Sequence, residues 1–141
     1  MKKYSQIYRL NKSVSFVKEI LMNLELYGRY HPLIRSVLLK SSKEGKYQFE
    51  ITEYPFPKLP IKVQYCARVL ENSIGVHYEI VGLPLHHVEF QYKIINNNDA
   101  EMQVHLDLQI SGLPFIRGIL AHKILKAQKE LMDNIEKGSC H

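Results

Sequence analysis

The sequence predicts an α+β domain in which a curved, seven-stranded antiparallel sheet wraps a long C-terminal helix. Three observations predict it. Apolar and polar residues alternate with a period of two through most of residues 47–110, as in strands with one buried and one wet face. The connections between these runs are short, which suits a meander of antiparallel hairpins. From Pro114 onward the apolar period lengthens to that of an amphipathic helix. A sheet with one apolar face and a helix with one apolar stripe must cover each other.

Taken in order, residues 3–10 read as the first strand. Ser13 can cap a helix whose apolar positions Val14, Val17, Ile20, Leu21 and Leu24 recur at helical spacing. Asn23 breaks it and starts a second short helix through Leu24-Glu25-Leu26-Tyr27, which Gly28 ends. Pro32 forbids further helix and disfavours it at His31. Residues 33–40 follow as a strand. Tyr47, Phe49 and Ile51 then alternate with Gln48, Glu50 and Thr52; Ile61, Val63, Tyr65, Ala67 and Val69 alternate with Lys62, Gln64, Cys66 and Arg68. Residues 74–82 place Ile74, Val76, Tyr78 and Ile80 inward. Val88, Phe90, Tyr92 and Ile94 form the next inward set, and Met102, Val104, Leu106, Leu108 and Ile110 the last. Pro114 suits a first helical turn. Behind it Ile116, Leu120, Ile124, Ala127, Leu131 and Ile135 make one apolar stripe, opposed by Lys123, Lys126, Lys129, Glu130 and Asp133. Some ~22 residues of helix span about 33 Å, enough to cross the sheet.

The bulk composition narrows the classes of function. A chain of 141 residues fits one domain, 1–141, that buries roughly two thirds of its unfolded surface. With 45% hydrophobic and 23% charged residues it has the make-up of a folded domain. No apolar run approaches the ~20 residues that span a bilayer, so stable membrane insertion is not expected. Met1-Lys2-Lys3 starts basic without an apolar segment behind it, so no secretory signal is read and the cytoplasm is the expected location. Cys66 reads as a strand residue and Cys140 as a thiol on the tail, with no disulfide implied by their spacing. The net charge of +5 is spread over Lys2, Lys3, Lys40, Lys43, Lys46, Lys123, Lys126 and Lys129. No concentrated basic stripe marks a nucleic-acid partner.

The connections differ between the two ends of the meander. At one end lie Ser41-Ser42-Lys43-Glu44-Gly45, Glu71-Asn72-Ser73 and Asn96-Asn97-Asn98-Asp99, polar turns with ordinary turn chemistry. At the other lie Tyr54-Pro55-Phe56-Pro57-Lys58-Leu59-Pro60, Gly82-Leu83-Pro84-Leu85-His86 and Ser111-Gly112-Leu113-Pro114-Phe115, joined by Tyr30-His31-Pro32-Leu33. Loops normally face water, so Phe56, Leu59, Leu83, Leu85, Leu113 and Phe115 require an explanation. They roof the sheet's end as a small apolar core, or they frame the mouth of a cavity or a face that meets a membrane or partner.

Tyr30-His31-Pro32-Leu33-Ile34 resembles the aromatic-His-Pro stretch that follows the helix pair in the START / polyketide cyclase-dehydrase (SRPBCC) superfamily. Gly112-Leu113-Pro114-Phe115 is similar to that family's lead into its last helix. The order of strand, two short helices, six-stranded meander and long helix resembles the family's helix-grip fold over nearly the whole chain. The resemblance implies a cavity between sheet and long helix that holds lipids, polyketides, quinones, sterols or hormones. Many members bind or carry such molecules, and some catalyse cyclisation or dehydration.

The candidate site residues follow from parity and position. Tyr65, Tyr78 and Tyr92 face inward, where their hydroxyls can meet a ligand's oxygens or the backbone while their rings stay apolar wall. Phe90, Leu106 and Leu120 belong to the same lining, and Phe56, Leu83 and Phe115 to its loop end. Glu53 shares the inward parity; buried, it needs a partner or a raised pKa, which suits acid-base work. His86 shares parity with Val88 and so faces inward, whereas His87 faces out. Arg117, in the first turn of the last helix, either pairs with a ligand's carboxylate or phosphate or lies on the surface. His31, His86 and Glu53 lack any recognised metal-ligand spacing, and no Gly-rich phosphate loop or nucleophile elbow is present, so neither metal nor cofactor is expected. Three functions remain. The first is a binding or carrier protein for a hydrophobic small molecule. The second is a cyclase or dehydratase using Glu53 and His86. The third is an interaction module docking through the apolar loops. The chain is expected to be a monomer or weak homodimer that touches membranes at most transiently.

Overall fold

In the computed structural model, which describes residues 1–56, 58–97 and 101–140, the first strand β1 (Lys2–Leu10) leads into a capped helix pair. Pro57 and the Asn98-Asp99 part of a turn, both named above, lie outside the described residues. Ser13 Oγ accepts from the Phe16 amide and opens α1 (Val14–Met22). Asn23 ends α1 and begins α2 (Leu24–Tyr30), its Oδ1 accepting from the Glu25 amide. One short polar side chain thus satisfies a helix end that would otherwise be orphaned. Gly28 does not end α2 as its identity suggested. It lies inside the helix, where a Cβ would come within 3.0 Å of Val37 Cγ2 and 3.1 Å of Ile34 Cγ2. The glycine there serves close packing of α2 on the sheet, and Pro32 sets the stop two residues later.

The strands β2 (Ile34–Lys43), β3 (Lys46–Glu53), β4 (Val63–Asn72), β5 (Gly75–Val81), β6 (His87–Asn96) and β7 (Met102–Ser111) form one antiparallel sheet with β1, in the order β1-β7-β6-β5-β4-β3-β2. The β2–β3 connection is shorter than expected: Lys43 pairs with Lys46, and Glu44 and Gly45, both at positive φ, make the two-residue turn. Two boundaries also moved. Ile61 is not in β4, which starts at Val63; Pro60 lacks the N–H a ladder needs, and Ile61 stays half exposed. Ile74 does not point inward either. Asn72 Oδ1 accepts from the amides of Ile74 and Gly75, which curls Ile74 into a tight turn.

The long helix α3 (Pro114–Lys137) is seated unevenly. Ala121, Ala127, Leu131, Met132 and Ile135 are buried, whereas Phe115, Ile116 and Ile119 are 82%, 44% and 55% exposed. The C-terminal half is also tied down: Asn134 donates to the Tyr30 carbonyl at 2.8 Å, and Glu136 accepts from the Asn11 amide at 2.8 Å. Nothing comparable holds the first two turns among the described residues. The apolar stripe therefore packs as one core from about Ala127 onward and parts from the sheet ahead of it.

Candidate functional site

Where the first half of α3 parts from the sheet there is a cavity of about 290 Å³. Its walls are Ile51, Tyr65, Ala67, Tyr78, Ile80, Val88 and Phe90 from the sheet, Leu24 and Tyr27 from α2, and Ile116, Ile119, Leu120, Ile124 and Ala127 from α3. Pro55 and Phe56 of the β3–β4 loop and Leu83 of the β5–β6 loop close its outer end. An engineered apolar cavity of ~150 Å³ admits benzene, so this one has room for roughly two rings.

The polar groups in the wall fall into two sets. The first is a closed network at the inner end. Tyr92 Oη donates to Gln128 Oε1 at 2.6 Å, Gln128 Nε2 donates to Tyr27 Oη at 2.7 Å, and the Tyr27 and Tyr92 hydroxyls are 3.1 Å apart. Tyr78 donates to the Leu21 carbonyl. Burial pushes the Tyr27 phenol up to about 12 and the Tyr78 and Tyr92 phenols well above their ordinary range, so all stay neutral donors. The second set stands near the mouth. Tyr65 Oη donates to Glu53 Oε2 at 2.5 Å. Burial raises the Glu53 carboxyl above its ordinary value, opposed by the Tyr65 hydrogen bond and the Lys123 charge. Burial, then the Glu53 charge, push the Tyr65 phenol well up. Lys123 Nζ donates to the Pro55 carbonyl at 2.7 Å and lies 4.2 Å from the Phe56 ring centroid. His31 is buried in the wall, its Nδ1 accepting from the Leu33 amide.

Of the residues singled out from sequence, Tyr65, Tyr78, Phe56, Leu83, Phe90, Leu120 and Glu53 stand in this wall. Four do not. Tyr92 lies behind Gln128, which separates its hydroxyl from the space. Leu106 is fully buried in the sheet away from the cavity, because β7 lies against β1 beyond its margin. Phe115 projects outward from the first turn of α3. Arg117 follows it on that turn and is not in the wall, so it does not meet a ligand there. His86 is a further correction. Its Nδ1 turns back to the Pro84 carbonyl at 2.8 Å and its ring packs over Gly112, so Glu53 and His86 do not converge.

Lys123, Gln128 and Tyr27 are not among the residues singled out from the sequence; His31, weighed there only as a metal ligand, bonds backbone and also stands in the wall. Lys123 was placed on the wet face of α3; it falls three residues after Leu120 and four before Ala127, the spacing of the buried stripe, and that spacing was the available signal. Among the described residues the cluster with metal-capable side chains is Glu79, His87 and Glu89, on the outer face of the sheet. Glu79 and Glu89 face each other across β5 and β6; Arg68 pairs with Glu79 at 2.8 Å and His87 bridges both carboxylates.

No family model matches the sequence, and no curated protein sequence matches it. Solved structures do. A START superfamily protein from Mycobacterium smegmatis superposes with a TM-score of 0.78 at 12% identity, covering 96% of this chain and 97% of that one. The Zhui aromatase/cyclase from Streptomyces sp. R1128 gives 0.78 at 9% identity, covering 98% and 93%. The di-domain ARO/CYC StfQ from the steffimycin biosynthetic pathway gives 0.80 at 8% identity; 97% of this chain matches 50% of that one. The chain thus has the START / polyketide cyclase-like helix-grip fold.

Proposed function

We propose that this chain binds and carries a hydrophobic small molecule, of lipid, quinone or polyketide-like character, in the cavity between the sheet and the first half of α3, and that residues 1–141 work as one binding unit. The observation that carries the reading is the lifted end of α3. A helix with an unbroken apolar stripe is held down over its C-terminal half and leaves space, walled by aliphatic and aromatic side chains, under the rest. A ligand that fills it removes apolar surface from water on both partners, at roughly 25 cal/mol per Å². Neighbours of this fold include a START protein and aromatase/cyclases, which supports the same reading.

The test is uptake. Native mass spectrometry of the purified protein, before and after exposure to a panel of lipids, quinones and aromatic polyketides, is expected to show a one-to-one complex. Ile124→Trp, which grows bulk into the cavity from α3, is expected to cut uptake at least about tenfold, the loss of ~1.4 kcal/mol of binding, with the thermal midpoint unchanged or higher. Undiminished uptake by that variant would place the ligand elsewhere.

The Glu53–Tyr65 pair keeps a second reading in play, a cyclase or dehydratase in which this pair moves a proton at the bound ligand. It is the weaker one because His86, the expected second acid-base group, points away. Glu53→Gln separates the two: it abolishes turnover in an enzyme and leaves carriage of an apolar ligand intact. The carrier reading takes the protein as a monomer or weak homodimer, needing no nucleic acid, that loads by transient contact with a membrane through its apolar loop end.

A further inference from the structure

The cavity's polar groups are not equally available. Gln128, Tyr27 and Tyr92 satisfy one another, Tyr78 is spent on the Leu21 carbonyl, and Lys123 is spent on the Pro55 carbonyl and the Phe56 ring. The Tyr65 hydroxyl is spent on Glu53 Oε2. Among the described residues Glu53 Oε1 has no hydrogen-bond partner, and its side chain stands in a wall that is mostly aliphatic and aromatic. It is not among the buried atoms cut off from water, so it faces the open part of the cavity, and a ligand that displaces solvent there must replace the hydrogen bond that water gives it.

We propose, on the strength of the carrier reading above, that the occupant is a neutral molecule of about two rings' bulk whose apolar body ends in one alcohol or phenol hydroxyl, bonded to Glu53 Oε1. A hydroxyl donates to the carboxylate and also accepts from the carboxylic acid, so it fits either protonation state of Glu53. A carboxylate-bearing analogue brings a second negative charge beside Glu53 and loses its hydration, and the single Lys123 charge, which already acts on Glu53, offsets this only in part. An ammonium-bearing analogue meets the Lys123 charge at the mouth. The Glu53–Tyr65 pair is then a filter on the ligand's head group, while the aliphatic and aromatic walls choose only its size.

Three ligands with one body test this: naphthalene, 2-naphthol and 2-naphthoate, titrated near neutral pH and followed by naphthyl fluorescence, against the intact chain and Glu53→Gln. In the intact protein 2-naphthol is expected to bind about tenfold tighter than naphthalene, one hydrogen bond's worth, and 2-naphthoate weakest of the three. In Glu53→Gln the ratio of naphthol to naphthoate affinity should collapse toward one while naphthalene changes by less than about threefold. Naphthoate binding the intact chain as tightly as naphthol overturns the head-group filter and leaves the cavity reading standing. Failure of all three to bind overturns the cavity reading and this inference with it. The intact-chain series decides the matter alone should Glu53→Gln not fold.

Discussion

Glu53 is held between two opposing demands. Desolvation favours its neutral form, while the Tyr65 hydroxyl and the Lys123 ammonium favour the carboxylate, and burial wins. Between the ordinary value of 4.5 and its raised folded value, the native state binds more proton than the unfolded chain. Stability attributable to Glu53 therefore falls as pH rises through that window, and the whole penalty is present above it. Glu53→Gln is accordingly expected to raise the thermal midpoint near neutral pH, and the gain should vanish below 4.5; a gain that persists in acid would mean that the carboxyl is not desolvated. Tyr65→Phe acts the other way. It leaves the carboxyl without its donor, which should cost about 1–3 kcal/mol in denaturant melts near neutral pH. Parity alone put Glu53 inward, so this half of the pair was legible in the sequence. Lys123 was not, because a lysine on an amphipathic helix is ordinarily read as solvated, and here its stem crosses the cavity mouth while its ammonium finds a carbonyl and a ring. His86 was misplaced for a related reason: strand parity was extended one residue past the start of β6, into a loop where Leu85 takes positive φ and parity no longer holds.

Hairpin geometry explains where strand patterning succeeded and where it slipped. In β3, β6 and β7 inward and outward residues alternate without interruption, and their registers match the apolar sets read from the sequence. The slips are at ends, where Pro60 and the Asn72 turn decide and hydropathy does not. Gly75 shows how strict such an end can be. It pairs with Asn72 on one side and Lys93 on the other, and a Cβ there would stand 1.9 Å from the Tyr92 carbonyl oxygen. Because the clash is with backbone, relief requires β5 to move off β6, and Gly75→Ala is expected to destabilise by about 2–3 kcal/mol or more in urea unfolding. The β3–β4 loop is a looser element. Lys123 binds it from α3 through the Pro55 carbonyl and the Phe56 ring, a cation–π contact of about 0.5–2 kcal/mol. Removing the ring in Phe56→Ala should speed ligand release several-fold in stopped-flow exchange with little change in global melting, whereas an unchanged release rate would show that the ligand leaves by another path.

The two ends of the molecule differ in chemistry as well as in burial, and this polarity is legible in the sequence from where proline and bulky apolar residues gather. What the sequence left open was whether those loops roof a core or frame a mouth, since that depends on how far α3 tilts from the sheet, and tilt is set by tertiary anchors such as Asn134 and Glu136. Leu83 and one side of Phe56 meet the cavity wall, although Phe56 is still 44% exposed, whereas Leu85, Leu113 and Phe115 stand 76%, 46% and 82% exposed outside it. Charge follows the same polarity. Segments 54–62, 82–88 and 112–123 contain no Asp or Glu, but they carry Lys58, Lys62, Arg117 and Lys123. The α3 N-terminus adds uncapped amides, since Leu113 offers no side-chain cap and no acidic residue follows in the first turn. Exposed apolar side chains flanked by cations fit an anionic bilayer surface, where each Lys or Arg contributes about 1 kcal/mol. The protein is therefore expected to co-sediment with phosphatidylglycerol vesicles and much less with phosphatidylcholine vesicles, and raised salt should release it as the charges are screened. Leu85→Glu with Phe115→Glu removes the apolar tips and lowers the positive charge of that face without touching the cavity wall, so vesicle binding should fall while 2-naphthol binding is unaffected. Equal binding to both lipids, or vesicle binding that survives the double substitution, would mean that the greasy pole meets something other than a membrane.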